Sequence, residues 1–189
     1  MRPLLFFLFT LIAGPLSAAE GCLDVWFTRN LIMDRAGHCF SSPLGQALFD
    51  NSDCTGQVGV LSPQDQATVA HIREVEARHG CRVNTNQTWA DIPDINFRKV
   101  LTDLPIRDEF EWACIGWTGM IAPLYAGRYG NARVLGQVQP GDYVHVEHYG
   151  LPHLDDWSYV LVSHPDGYAL KSAGWLYWPN RMPCAQEAG

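Results

Sequence analysis

The sequence lacks the composition and motifs of several common functional classes. It has 13 basic and 20 acidic residues and a formal net charge of −7, so it offers no excess of positive charge for binding nucleic acid. It contains no Gly-x-Ser-x-Gly segment of a serine hydrolase and no glycine-rich phosphate loop. With no motif to which a reaction could be assigned, we predict a protein that is not an enzyme and needs no cofactor.

Long apolar runs are missing as well, apart from one near the start. Leu4–Ile12 follows Arg2 and precedes the small residues Ser17–Ala19. The run is shorter than the roughly 20 residues of a membrane-spanning helix. A positive charge, an apolar core and small residues in this order are typical of a signal peptide. We expect residues 1–19 to be cleaved off, leaving a periplasmic or secreted chain without a membrane span.

The cysteines lack the spacing of a metal site, because no two of them form a Cys-x-x-Cys pair. An even number of cysteines in an exported chain is expected to form disulfides. Lipid attachment to Cys22 is an alternative, but Glu20 stands where lipoprotein signals have small or apolar residues. We predict pairing within each half of the chain, with the partners in the first half left open, for Cys22, Cys39, Cys54, Cys81, Cys114 and Cys184.

Residues 20–81 show the signals of helices. Val25–Ala36 contains no proline or glycine and has apolar side chains at helical spacing, and a glycine follows it. Ser42 precedes a proline and predicts a short helix. Ser62 and the proline after it predict a helix over residues 63–79. A unit of this size has a thin core, which fits its four cysteines.

The segment Trp26–Phe40 (WFTRNLIMDRAGHCF) resembles the hallmark segment of the YARHG domain. The naming motif of that family falls on Met33–Gly37, where only the arginine and the glycine match. A literal Ala77–Gly80 (Ala-Arg-His-Gly) occurs later, at the end of the helix predicted over residues 63–79, and we interpret it as coincidence. The resemblance implies a small extracellular bacterial domain associated with the cell wall. Arg29 and Arg35 are expected to pair with acids.

The second half has a different character. Residues 82–111 show no long hydrophobic period and predict a linker with one short helix near Phe97–Leu101. From Trp112 onward, short apolar and aromatic runs alternate with turn residues, which is typical of a small β-barrel over residues 112–184 with a tail at 185–189. The predicted strands are Ala113–Ile121, Ala132–Gln137, Tyr143–Tyr149, Trp157–Val162, Tyr168–Leu170 and Gly174–Trp178.

Four segments of this half resemble a bacterial SH3-like domain, namely Leu124–Gly127, Ala132–Asp142, Trp157–Val160 and Gly174–Leu176. The arginine-rich first strand of that family is replaced here by Ile121–Tyr125. The resemblance implies an α+β protein in which a disulfide-bonded helical module precedes an SH3-like β-barrel. Relatives of this fold bind peptides or cell-wall material through exposed aromatics. The binding candidates, with core packing as the alternative for each, are Tyr125, Tyr129, Tyr149, Trp157 and Trp178.

Histidines and acids are dense at His145, Glu147, His148, His153, Asp155 and Asp156. Alternation in a regular strand puts His148 on the face of Val144 and Val146, opposite His145. The two histidines therefore cannot chelate one metal unless a bulge turns the strand, and we predict no metal site. Cys39 stands beside His38, but a disulfide would consume its thiol.

These observations predict a non-catalytic periplasmic or cell-envelope binding module that recognises peptidoglycan or an envelope protein. The first alternative is an inhibitor or chaperone-like partner of another secreted protein, because small disulfide-bonded domains often serve as protein ligands. A metal-dependent hydrolase is a third class, and it predicts bound zinc in the purified protein. No feature of the sequence indicates the oligomeric state.

Overall fold

The computed structural model describes residues 16–154, 156–167 and 169–189. Residues 1–15 of the predicted signal peptide lie outside these ranges, as does Asp155 of the histidine and acid cluster. The helices are α1 Leu16–Arg35, α2 Pro43–Leu48, α3 Pro63–Arg78 and α4 Ile95–Arg98. The strands are β1 Ile106–Trp117, β2 Ala122–Tyr125, β3 Val134–Val138, β4 Tyr143–Tyr149, β5 Trp157–Ser163, β6 Leu170–Tyr177 and β7 Cys184–Ala188. The predicted α+β class is confirmed.

Helices α2 and α3 begin where the sequence signals place them. The side chains of Ser42 and Ser62 each accept a hydrogen bond from a backbone N–H in the first turn, and a proline follows each serine. Gly80, at a φ of 60°, follows the end of α3. Helix α1 starts nine residues before the predicted Val25, because leucine, alanine and glutamate in the stretch ahead of Val25 favour helix and outweigh the single glycine there.

The seven strands form one antiparallel sheet in the order β3-β2-β6-β5-β4-β1-β7. Across the described residues β3 and β7 are not paired with each other, so the sheet is open and the predicted closed barrel is not confirmed. Strand β1 begins at Ile106 inside the range predicted as a linker, and β7 lies in the range predicted as a tail.

Two predicted strand boundaries also differ. The strand predicted over Ala113–Ile121 corresponds to the second part of β1, which ends at Trp117, and β2 at Ala122–Tyr125 was not among the predicted strands. The strands predicted at Tyr168–Leu170 and Gly174–Trp178 meet in one strand, β6, which runs from Leu170 through the buried Ser172 to Tyr177, while Tyr168 lies outside the described residues.

The sheet is apolar on both faces at its centre. On one face, Tyr159 and Trp175 belong to a core cluster that also contains the helical residues Phe27 and Leu44. On the other face, strands β1 to β6 contribute a second cluster, which includes Val160. Alternation along β5 therefore sends successive side chains into two cores, which is why this strand is almost continuously buried.

A register shift in β4 overturns one prediction. The pairing of β4 with β5 slips between Val146 and His148, so that Val146 lies opposite Val160 and His148 lies opposite Tyr159. His148 is therefore on the helix-facing side with Tyr159, and not with Val146 as regular alternation predicted. Within the described ranges, no group of three or more histidine, cysteine or acidic side chains is placed to hold a metal ion.

All six cysteines form disulfides, and each bond stays within its own half of the chain, as predicted. The pairs are Cys22–Cys81, Cys39–Cys54 and Cys114–Cys184. The first joins α1 to the end of α3, and the third joins β1 to β7. Neither Cys22 nor Cys39 keeps a thiol for lipid attachment or nucleophilic chemistry. Of the helices that are described, none is long and apolar enough to cross a membrane.

Candidate binding cleft

An aromatic cleft of about 520 Å³ opens where β2, β5 and β6 meet the loop 126–133. Its aromatic lining is Tyr125, Trp157 and Tyr177. Trp157 lies opposite Tyr177 in the β5–β6 ladder, and Tyr125 lies opposite Trp175 in the β2–β6 ladder. Side chains two residues apart in a strand share a face, so Trp157 and Tyr177 lie on the same face as Tyr159 and Trp175, which are buried beneath the helices. Tyr125 joins this face as the cross-strand neighbour of Trp175. The cleft is the part of that face that the helices leave uncovered.

The three rings are inclined to one another. The ring centroids of Trp157 and Tyr177 are 5.2 Å apart with an interplanar angle of 54°, and those of Tyr125 and Trp157 are 5.8 Å apart at 71°. Tyr177 is 47% exposed, and the other two are half-buried. Inclined aromatic rings that are fixed by their neighbours present apolar faces together with polar tips, which suits a ligand of mixed polarity.

The loop on the other side of the cleft is held by Arg128. Its guanidinium donates to Asp103 at 2.5 Å and to the carbonyl oxygens of Leu151 and Pro152, and it lies 4.5 Å from the centroid of the Trp175 ring. The Arg128 side chain is fully buried. With its donors already engaged, Arg128 positions the loop and is not available for a ligand.

Two further loop residues shape the cleft. Gly127 lies so close to the hydroxyl of Thr102 that a Cβ at this position would collide with it. Asn131 is exposed in the lining, and its amide has no hydrogen-bond partner in the part of the chain that is described. An amide offers two donors and an acceptor, so Asn131 can contact a ligand beside the polar tips of the aromatic rings.

The other three binding candidates lie elsewhere. Tyr129 is 50% exposed and packs beside Arg128, outside the cleft lining. The Tyr149 hydroxyl is 2.6 Å from Nε2 of His71 on α3, and burial together with the nearby Asp108 raises its pKa. Trp178 packs edge-on against Trp117 with 4.9 Å between centroids. Of the five predicted binding residues, only Tyr125 and Trp157 line the cleft.

Tyr177 and Asn131 were not predicted from the sequence. Tyr177 stands two residues after Trp175, so the period of a strand puts both on one face. What the sequence does not show is that Trp157 lies opposite Tyr177, since that depends on the register between two strands. Nothing in the sequence distinguishes Asn131 from other turn residues.

A buried ionic cluster joins the helices to the sheet near this cleft. Arg98 on α4 donates to Asp24 on α1 at 2.5 and 2.7 Å and to Asp94 at 2.8 Å, and its Nη2 lies 2.6 Å from Nε2 of His148 on β4. The Tyr159 hydroxyl donates to Asp94 at 2.7 Å. We define these five residues as the ionic cluster.

The charges in the ionic cluster stabilise one another. Burial opposes ionisation of Asp24, but Arg98 and His148 outweigh that effect and hold its pKa well below the usual range. Burial and the adjacent Asp94 raise the pKa of Tyr159 well above its ordinary value. The cluster therefore consists of an ionised Asp24, a charged Arg98 and a neutral phenol.

Arg29 and Arg35 of the YARHG-like segment both have structural partners. Arg29 forms an ion pair with Glu76 that ties α1 to α3. Arg35 donates instead to backbone carbonyls at the end of α4, including that of Leu101 at 2.9 Å. The expected pairing with an acid is thus found for Arg29, whereas Arg35 satisfies orphan carbonyls at a helix end.

Comparison with known families divides the chain into two regions. The model of the YARHG domain matches residues 10–77, which confirms the resemblance seen in the first helix. The model described as Domain of unknown function (DUF4453) matches residues 80–189, so the second half is a DUF4453 domain and its likeness to SH3 domains is not shown. No curated protein and no solved structure matches the chain. Because the second match covers more than half of the sequence, the protein belongs to the DUF4453 family, with a YARHG domain preceding the DUF4453 domain.

Proposed function

We propose that the protein is a non-catalytic binding module of the bacterial cell envelope that recognises peptidoglycan through the aromatic cleft. The observation that carries this proposal is the set of three inclined rings, Tyr125, Trp157 and Tyr177, next to the unpartnered amide of Asn131. The location is supported by the apolar leader, the three disulfides and the extracellular association of YARHG domains.

The cleft has the size and polarity of a site for a glycan unit. Its volume of about 520 Å³ falls within the roughly 300–1,000 Å³ of small-ligand sites. A sugar ring has an apolar C–H face, which packs on an aromatic ring, and hydroxyl or amide groups at its edge, which pair with a side-chain amide. Trp157 and Tyr177 supply the first kind of contact, and Asn131 supplies the second.

Sedimentation with purified peptidoglycan tests the proposal on the oxidised mature protein. We expect the wild type to sediment with the wall material and Tyr177→Ala to lose about tenfold in affinity, since stacked aromatic side chains are common energetic hot spots worth 1–2 kcal/mol or more. Trp89→Ala is the matched control, because Trp89 is 64% exposed and does not line the cleft. Full recovery of the wild type in the supernatant would show that the wall is not the ligand.

Export is proposed on the basis of the leader and has its own test. N-terminal sequencing of the protein recovered from the periplasm or the medium should begin at Glu20 if cleavage follows Ala19. A protein that retains Met1 in the cytoplasmic fraction would contradict the proposed location.

The open sheet is proposed to be a variant of the SH3-like fold. In support, strands β1 to β6 share one apolar cluster, with Val138, Val144 and Leu176 fully buried in it. Superposition of an experimental structure on bacterial SH3-like domains tests this assignment, and a different strand order in the shared strands would reject it.

An inhibitor of another secreted protein is the second candidate. It is favoured by an exposed apolar segment between α2 and α3, where Val60 is 99% and Val58 is 41% exposed. The Cys39–Cys54 disulfide and a hydrogen bond from Gly59 N–H to the Ala36 carbonyl hold this segment, and a preorganised loop loses little entropy on binding. Capture of one stoichiometric partner from periplasmic extract, abolished by Val60→Asp, would favour this candidate.

A further inference from the structure

A second cavity of about 310 Å³ lies at the junction of α1, α4 and the sheet, and it shares no lining residue with the aromatic cleft. Two arginines, Arg98 and Arg107, line it. Against these two arginines stand five carboxylates, an excess of three acidic over basic side chains: Asp24, Asp91, Asp94, Glu111 and Glu147.

The excess of negative charge is not removed by pairing inside the protein. Arg98 is engaged by Asp24 and Asp94, and Arg107 is engaged by Glu111 and Glu147. Each arginine thus faces two acids. Asp91 is exposed at the mouth and has no partner among the residues described. The cavity therefore attracts a cation.

An unpartnered polar atom in the cavity lining points to a ligand. The Asp94 side chain is fully buried, and its Oδ2 accepts hydrogen bonds from Arg98 and from Tyr159. Its Oδ1 has no hydrogen-bond partner within the described ranges, and neither does Nδ1 of His148. Buried polar atoms are normally satisfied, and a hydrogen-bond donor on a ligand would satisfy Oδ1 of Asp94.

The other walls define what kind of cation fits. Pro93 and Leu161 make part of the lining apolar, which suits an aliphatic stem behind a charged head. A primary ammonium group has three donors and no acceptor, which matches a cavity rich in carboxylate oxygens. We propose that this cavity binds a lysine side chain of a peptide ligand, with the ammonium group on Asp94 and Asp91. This proposal does not depend on recognition of peptidoglycan by the aromatic cleft.

Titration calorimetry on the intact oxidised protein tests the proposal with two probes that have the same four-carbon side-chain stem. We expect Nα-acetyl-lysine amide to bind at least about tenfold more tightly than Nα-acetyl-norleucine amide, which lacks the ammonium group. Equal affinity for the two probes, or no binding of either, would overturn the proposal.

Variants locate the binding. Asp91→Asn should weaken binding of the lysine probe about threefold, as expected for an exposed ion pair, and Asp94→Asn should weaken it about tenfold. Asp53→Asn makes the same change of charge at an exposed site outside the cavity and should leave binding unchanged. Tyr177→Ala should also leave it unchanged, which separates this site from the cleft. If Asp94→Asn does not fold, Asp91→Asn decides, and an affinity equal to that of Asp53→Asn would refute the assignment.

Discussion

The helical YARHG region and the DUF4453 sheet differ in what their cores are made of. The sheet has a cluster of its own, formed by Val144, Val160 and other residues of β1 to β6. The large buried residues of the helices, such as Phe27 and Leu44, belong to a cluster that they share with Tyr159 and Trp175 of the sheet. The difference indicates that the helices need the sheet to bury their apolar faces, whereas the sheet has a core that needs no helix.

The same asymmetry explains where the aromatic cleft lies. The helix-facing side of β5 and β6 is aromatic along its length, from Tyr159 and Trp175 to Trp157 and Tyr177. The helices cover the first pair, which is fully buried, and leave the second pair partly exposed. A surface of the same chemical kind is thus core at one end and a candidate binding site at the other.

The largest effect is expected from removing the charge that joins the two regions. Arg98→Met leaves Asp24 and Asp94 buried without their cation, which should lower the free energy of unfolding by about 3–5 kcal/mol. Chemical denaturation followed by circular dichroism measures it. Arg181→Met is the control, because the Arg181 side chain is 82% exposed and its pair with Glu187 lies on the surface, so the change should stay below about 0.5 kcal/mol. Equal effects of the two variants would mean that the junction carries no special stability.

Removal of a disulfide should have the next largest effect. Cys39→Ser with Cys54→Ser opens a bond between residues 15 apart in sequence, which should cost about 3 kcal/mol by chain entropy. Cys114→Ser with Cys184→Ser, in the sheet, opens a separation of 70 residues and should cost about 1 kcal/mol more on the same account. If the helices depend on the sheet, loss of the sheet disulfide should also lower helical signal. If the circular dichroism signal of the helices is fully retained after the sheet has unfolded, the helices do not depend on the sheet.

The sequence predicted the helices and disulfides better than the sheet, and the reason is the range of the interactions. Ser42 and Ser62 act on N–H groups three residues away, so their effect is visible locally. The start of β1 at Ile106 is fixed instead by pairing with Tyr149, 43 residues later, in a segment whose own residues are charged. Pairing across that distance leaves no periodic signal within β1.

The candidate sites were predictable only in part for a related reason. Tyr125 and Trp157 were candidates because exposed aromatics are common in binding surfaces, but the third ring, Tyr177, depends on strand register. The ionic cluster was not foreseen at all. Asp24, Arg98 and His148 are far apart in sequence, and His148 reaches the others only because the register shift in β4 turns it toward the helices. Charged residues are mostly exposed in proteins, so nothing in the neighbouring sequence indicates that these are buried.

A smaller effect with a characteristic pH dependence is expected at Asp24. The lowered pKa of this carboxyl means that its ionised form stabilises the fold above the unfolded-state pKa near 4, and that this contribution declines as pH falls below that value. Asp24→Asn should cost about 2 kcal/mol at pH 7, since Asp94 still pairs with Arg98, and much less at pH 3. Denaturation curves at both pH values measure this, with Asp53→Asn as the control. A cost that is the same at pH 3 and pH 7 would mean that charge is not the cause.

The smallest effect is expected from the helix cap at Ser62, and it addresses cooperativity between the two regions. Ser62→Ala removes the acceptor for the Asp65 N–H at the start of α3 and should cost about 1 kcal/mol. Ser52→Ala is the control, because that exposed serine caps no helix. If the helices cannot persist without the sheet but the sheet can persist without the helices, calorimetry of Ser62→Ala should show the melting of the helices at lower temperature and an unchanged transition for the sheet. A single transition that shifts as a whole would show instead that the ionic cluster and the shared core make the two regions one cooperative unit.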